Sequence, residues 1–133
     1  MRFRKLTIIQ APPPRTGDVN ERLQWLGGSL GLFSQRDKDK SCYRIFVTLL
    51  KSAKAKRELS SDELALLTGL TRGTVVHHLN NLMAAGLVET FKSKYVLRVD
   101  TLEQLIAKLD DDVRETLREL REIAGQLDDQ LGL

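Results

Sequence analysis

Between residues 71 and 82 the chain sets Thr71, Arg72, Gly73, Thr74, Val76, His77, Asn80 and Asn81 among the aliphatic residues Val75, Leu79 and Leu82. At about 100° per residue the three aliphatic side chains share one side of a helix, with His78 at its margin. Gly73, Thr74, Val76, His77, Asn80 and Asn81 then fall on the opposite side, and Arg72 can reach there from the first turn. Arginine pairs bidentately with guanine, asparagine with adenine, and threonine or valine packs on a thymine methyl. Gly73 would admit close backbone approach. The chemistry on offer is the reading of base edges.

Bond-making chemistry has no comparable support, because no nucleophile, base and orienting group occur at a recognisable spacing. An enzyme is not expected. His77 and His78 point about 100° apart on a helix and do not readily share one metal ion. A single cysteine, Cys42, forms no internal disulfide and, with two histidines, no four-ligand zinc set. It sits in an apolar helical stripe and reads as a small core residue rather than a redox sensor. No metal and no cofactor are expected.

The 133 residues are 41% hydrophobic, 29% charged and 5% aromatic, the composition of one domain able to bury a core. No apolar run approaches the twenty residues of a membrane span, and the N-terminus lacks the apolar stretch of a secretory signal, so a cytoplasmic protein is expected. The net charge of +3 hides a division. Residues 1–37 hold six basic and three acidic residues, residues 38–100 eleven and six, and residues 101–133 four and nine. A basic centre suits a polyanion, and an acidic end suits another task.

The elements that must position the 71–82 helix are legible from period and punctuation. Residues 3–9 read as a short β-branched strand followed by the extended connector Pro12–Pro14. Asp18 and Glu21 form a capping pair for a helix carrying Val19, Leu23, Leu26, Leu30 and Phe33 on one face. Gly27, Gly28 and Gly31 weaken it, so either another helix approaches closely or the helix breaks near Gly27. Cys42, Ile45, Phe46, Leu49, Leu50 and Ala53 predict a helix from about Lys38 to Ala53. Ser60 and Glu63 box the start of a short helix that Gly69 stops, Thr71 caps the next, and Gly86 ends it near Ala85. Leu87–Phe91 and Tyr95–Val99 predict a hairpin with Lys92, Ser93 and Lys94 at its tip, placed to touch phosphate or the minor groove. Asp100 and Glu103 are expected to cap a last, long helix.

The order helix, short helix, glycine turn, helix and basic-tipped hairpin is a winged helix-turn-helix, mainly α with a small β wing. Ala65, Gly69, the run Leu70 to Leu82 and Gly86-Leu87-Val88 resemble the ArsR/MarR-like winged-helix transcriptional regulators of archaea and bacteria over residues 38–100. Gly31 to Phe33, Arg36 to Lys38, Tyr43 to Phe46, and Ile123-Ala124 to Leu127-Asp128 resemble an archaeal branch of that group. The resemblance implies a regulator that binds double-stranded DNA. ArsR-type metal sensors carry cysteines around the helix before the recognition helix, where this chain has Glu63 to Leu67 without one. A winged helix serving only as a protein contact in a larger assembly is the alternative reading.

Leu102, Leu105, Ile106, Leu109, Val113, Leu117, Leu120, Ala124, Leu127 and Leu131 line the last helix, the rows 102/113/124 and 109/120/131 repeating every eleven residues. About 30 residues span roughly 45 Å, more than a small winged helix can cover. A homodimer is therefore expected. Its interface comprises Leu23, Leu26 and Leu30 with Leu102, Ile106, Leu109, Val113, Leu117, Leu120, Ala124, Leu127 and Leu131, and the acidic face with Asp110, Asp111 and Asp112 turns away from DNA. Three units follow: 1–37 in support, 38–100 binding DNA, and 101–133 dimerising.

Overall fold

The computed structural model describes residues 2–33 and 40–133. The first helix, α1 (Val19–Ser29), starts where the Asp18 carboxylate accepts the amides of Asn20 and Glu21 at 2.7 and 3.3 Å. The amide of Asp18 donates to Thr16 Oγ1, so the Glu21 side chain does not complete the expected reciprocal box. The helix passes through Gly27 and Gly28 unbroken. What crowds Gly27 is the chain's own Phe33, since a Cβ there would lie 1.8 Å from the ring. Phe33 packs edge-on against Tyr43 and Phe46, at centroid distances of 5.4 and 6.2 Å, and so ties the end of α1 to the core. Gly27→Ala is expected to forfeit its helix-propensity gain of about 1 kcal/mol and lose about 1 kcal/mol net through overpacking. Gly28→Ala, with open space around the new methyl, should keep that gain. Paired thermal melts check both, and equal melting points would remove Phe33 as the cause.

Residues 3–9 do not form the expected strand. The segment bends at Arg4 and Lys5, and its amides go to helix ends: Arg4 and Lys5 donate to the Ala84 carbonyl at 2.7 and 3.0 Å, and Ile9 to the Ser29 carbonyl at 2.7 Å. Last-turn carbonyls have no partner inside their helix. The β-branched run satisfies them here instead of joining a ladder.

Helix α2 (Ser41–Lys54) buries Cys42, Ile45, Phe46 and Leu49, with Leu50 and Ala53 half-buried. The expected start at Lys38, and the 37/38 boundary, lie outside the described residues. After α2 come β1 (Leu59–Ser60), α3 (Ser61–Thr68), α4 (Arg72–Ala84), β2 (Val88–Phe91) and β3 (Lys94–Leu97). The strands form an antiparallel sheet ordered β1-β3-β2. Two-residue β1 is too short for alternation to announce it. Leu64 of α3, Val75, Leu79 and Leu82 of α4, and Leu59, Leu87, Val88 and Leu97 around the sheet close one core over α2.

Helix α5 (Leu102–Leu131) is capped by Thr101, whose hydroxyl accepts the Gln104 amide at 3.1 Å, not by Asp100 with Glu103. Its first half belongs to the domain. Leu105 and Leu109 are buried and Leu102 packs half-buried on the same core, so the chain itself covers Leu109. Leu23 and Leu30 likewise pack half-buried on the chain's own core, because Phe33 folds the end of α1 back onto α2. Asp112 is no outer-face residue either. Its carboxylate is buried against Arg98, which donates through both terminal nitrogens, one of them at 3.2 Å. From Leu117 onward every residue is exposed.

Candidate nucleic-acid interface

Two helices and a turn set the angle of α4. Ser60 Oγ accepts the Glu63 amide while the Glu63 carboxylate accepts the Ser60 amide, at 3.1 and 3.2 Å, which completes the expected capping box of α3. Gly69 then turns the chain with φ +71°, a left-handed conformation suited to glycine. The Arg44 guanidinium of α2 donates to the Thr68 carbonyl at that corner. Thr71 caps α4, accepting the Thr74 amide at 3.2 Å, and its hydroxyl also meets Thr74 Oγ1 at 2.9 Å. With Val75, Leu79 and Leu82 wholly buried, the rest of α4 is oriented by default.

Arg72, Gly73, His77, Asn80 and Asn81 are exposed, and Thr74 and Val76 are half-buried. The structure therefore brings these residues onto the outer side of α4. Asn81 also turns toward the N-terminal segment, lining a cavity of about 260 Å³ with Lys5, Thr7 and His78. The Arg72 Nε lies 3.5 Å from an Asp62 carboxylate oxygen, both side chains largely in water. Such a pair holds weakly and gives way to a stronger anion. The rings of His77 and His78 meet edge-on at 5.3 Å. Among the described residues no group of three metal-ligating side chains assembles.

The wing is tighter than expected. Its turn is Lys92-Ser93 alone, with φ +51° and +62°, joining the pair Phe91 and Lys94 that closes the ladder. Both positive φ values fit a type I′ hairpin turn, the hand that matches strand twist. Lys94 is therefore not at the tip. Its ammonium lies 2.8 Å from Glu63 and locks the wing onto the start of α3. Phe91, the ladder partner of Lys94, is 69% exposed beside the tip, with the Lys92 ammonium 5.4 Å from its ring. Its place in a β-prone run signalled a strand and concealed this exposure, which the strand's pairing register decides.

Glu63 thus serves as a hub: it caps α3, pairs with Lys94 and receives Arg57 at 2.9 Å. The Lys94 ammonium first, then the Ser60 amide and the Arg57 guanidinium, hold its carboxyl down at about 2, against 4.5 for a free one. A carboxyl depressed by folding contributes stability that is full above its unfolded value and is lost as pH falls toward its folded one. The window here is pH 4.5 down to about 2. Lys94→Met should move the Glu63 titration up toward the ordinary range in carboxyl-carbon NMR. A midpoint left near 2 would acquit Lys94.

No helix among the described residues is long and apolar enough to cross a membrane. No curated protein and no solved structure matches the chain. Residues 49–90, from the second half of α2 to β2, match the family model "Bacterial regulatory protein, arsR family", so the chain carries an ArsR-type helix-turn-helix, the DNA-binding unit of a transcription regulator.

Proposed function

We propose that the chain is a homodimeric, sequence-specific regulator on double-stranded DNA, of the ArsR/MarR-like kind and its archaeal branch, without enzymatic activity or cofactor. The observation that carries this reading is α4: a helix whose aliphatic side is buried and whose opposite side offers Arg72, Gly73, His77, Asn80 and Asn81 to solvent. A helix of that width enters the major groove, and the wing beside it reaches the backbone or minor groove. Lys92 and Ser93 supply the wing contact, while Lys94 positions the wing through Glu63. The exposed half of α5 supports a second copy, which would present two α4 helices to a two-fold operator.

Binding of duplex DNA measured against salt tests the reading. Phosphate neutralisation makes log affinity fall linearly with log salt, and each lost phosphate contact lowers that slope by about 1. Lys92→Ala should weaken binding to all sequences alike and reduce the slope by about 1. An unchanged slope removes the wing from the contact surface, and no duplex affinity even at low salt sinks the DNA reading itself. Sedimentation equilibrium tests the dimer separately, and a monomer at tens of micromolar would refute it.

A further inference from the structure

Once Leu102, Leu105 and Leu109 are assigned to the domain core, the apolar stripe of α5 from Val113 onward shows a different period. Val113, Leu117, Leu120, Ala124, Leu127 and Leu131 step by four, three, four, three and four residues. That is a seven-residue repeat, the seam of a left-handed coiled coil. The eleven-residue rows arose from mixing side chains the domain covers with those it leaves free. Leu117, Leu120, Leu127 and Leu131 are 47–68% exposed. Ile123 flanks the same stripe and is equally uncovered.

We propose that this half of α5 pairs with the same half of a second copy as an antiparallel two-stranded coiled coil centred on Glu122, an inference that rests on the homodimer reading. In this register Leu117 meets Leu127 of the second copy, Leu120 meets Ala124, and Val113 meets Leu131, each layer occurring twice. One edge then sets Arg114 against Asp128 of the other chain, again twice. The other edge sets Ile123 against its own copy and Thr116 against Gln130, which accounts for an isoleucine flanking the seam.

Charge decides the direction. A parallel pair would place Arg121 beside Thr116 and Asp128 beside Ile123, with no opposite charges facing, and would carry the seam into Asp110 against its copy. Sliding the antiparallel pair one heptad toward the domains sets Arg114 against Arg121 and brings Asp110 opposite Leu127. Sliding it the other way carries the partners of Val113 and Leu117 past the left-handed cap at Gly132, beyond the end of α5. The chosen register bears one like-charge contact, Arg121 beside its copy at the two-fold axis, where long side chains diverge into water. The two winged helices hang at opposite ends, their attachment points near Ala107 about 45 Å apart along the coil at about 1.5 Å per residue. The α1 face stays outside this interface.

Single-cysteine pairs read the register directly, because Cys42 is buried. Leu117→Cys and Leu127→Cys proteins, mixed reduced and then oxidised, should give a disulfide-linked pair at least tenfold faster than either protein alone. Rapid self-linking of Leu117→Cys would establish a parallel pair and overturn the proposal. So would a dimer in sedimentation that yields no mixed disulfide, since the interface would then lie elsewhere; a monomeric native protein fails the homodimer reading instead. Asp128→Arg should weaken dimerisation about tenfold, with helicity checked by circular dichroism, and adding Arg114→Asp should restore it. A double swap that stays weak would overturn the Arg114–Asp128 contact.

Discussion

Replacing Asp112 by alanine is expected to remove about 3–5 kcal/mol of stability, because it strips from the buried Arg98 guanidinium the carboxylate paired with it and leaves the weaker attraction of Glu89. The Asp112 and Arg98 side chains are 8% and 9% exposed, and the carboxylate holds the guanidinium protonated even more firmly than usual. Arg98 also donates its amide to the Leu87 carbonyl at 3.0 Å, so the pair sits between the base of the wing and the first half of α5. A loss of that size is a large share of the roughly 5–15 kcal/mol of a typical domain. The double change Arg98→Met with Asp112→Leu should cost far less, since it removes both charges and keeps the volume. Urea denaturation of the three proteins measures this. An Asp112→Ala loss below about 1 kcal/mol would show that water reaches Arg98.

The largest effect on binding is expected from Asn80→Ala and Arg72→Ala. Each should cost about 1–3 kcal/mol at the preferred site, roughly 5- to 150-fold, while Asn80→Ala leaves binding to scrambled duplex nearly unchanged. Bidentate side-chain contacts to a base carry discrimination of that order, whereas phosphate contacts carry none. Arg72 must first leave Asp62, but an exposed pair at 3.5 Å opposes this little. Titrations of preferred and scrambled sites at one salt concentration provide the ratio. If both variants keep the native ratio, α4 does not read the sequence.

The residues of the candidate interface were legible because their signals are local. A capping box, a glycine at positive φ and a helical period act within a few residues of chain, so α3, the turn at Gly69, the Thr71 cap and the buried side of α4 follow from sequence. The wing was legible as a hairpin but not as to its tip. Whether Lys94 faces phosphate or Glu63 depends on the register of β3 against β2 and on where β1 delivers α3. Asp112 misled for the same reason: a carboxylate in an acidic run reads as solvated until Arg98, fourteen residues earlier, is brought beneath it.

By itself, then, the sequence determined which segments are helices, which side of each seeks a core, and the polar set on α4, since period and caps depend on near neighbours alone. Only the tertiary structure decided which apolar surface the chain covers for itself. Burial is a property of everything packed around a residue, and two aliphatic side chains on one helix carry the same local signal whether the domain reaches them or not. Leu109 and Leu120 both lie on the apolar stripe of α5, yet the core buries the first and leaves the second 60% exposed.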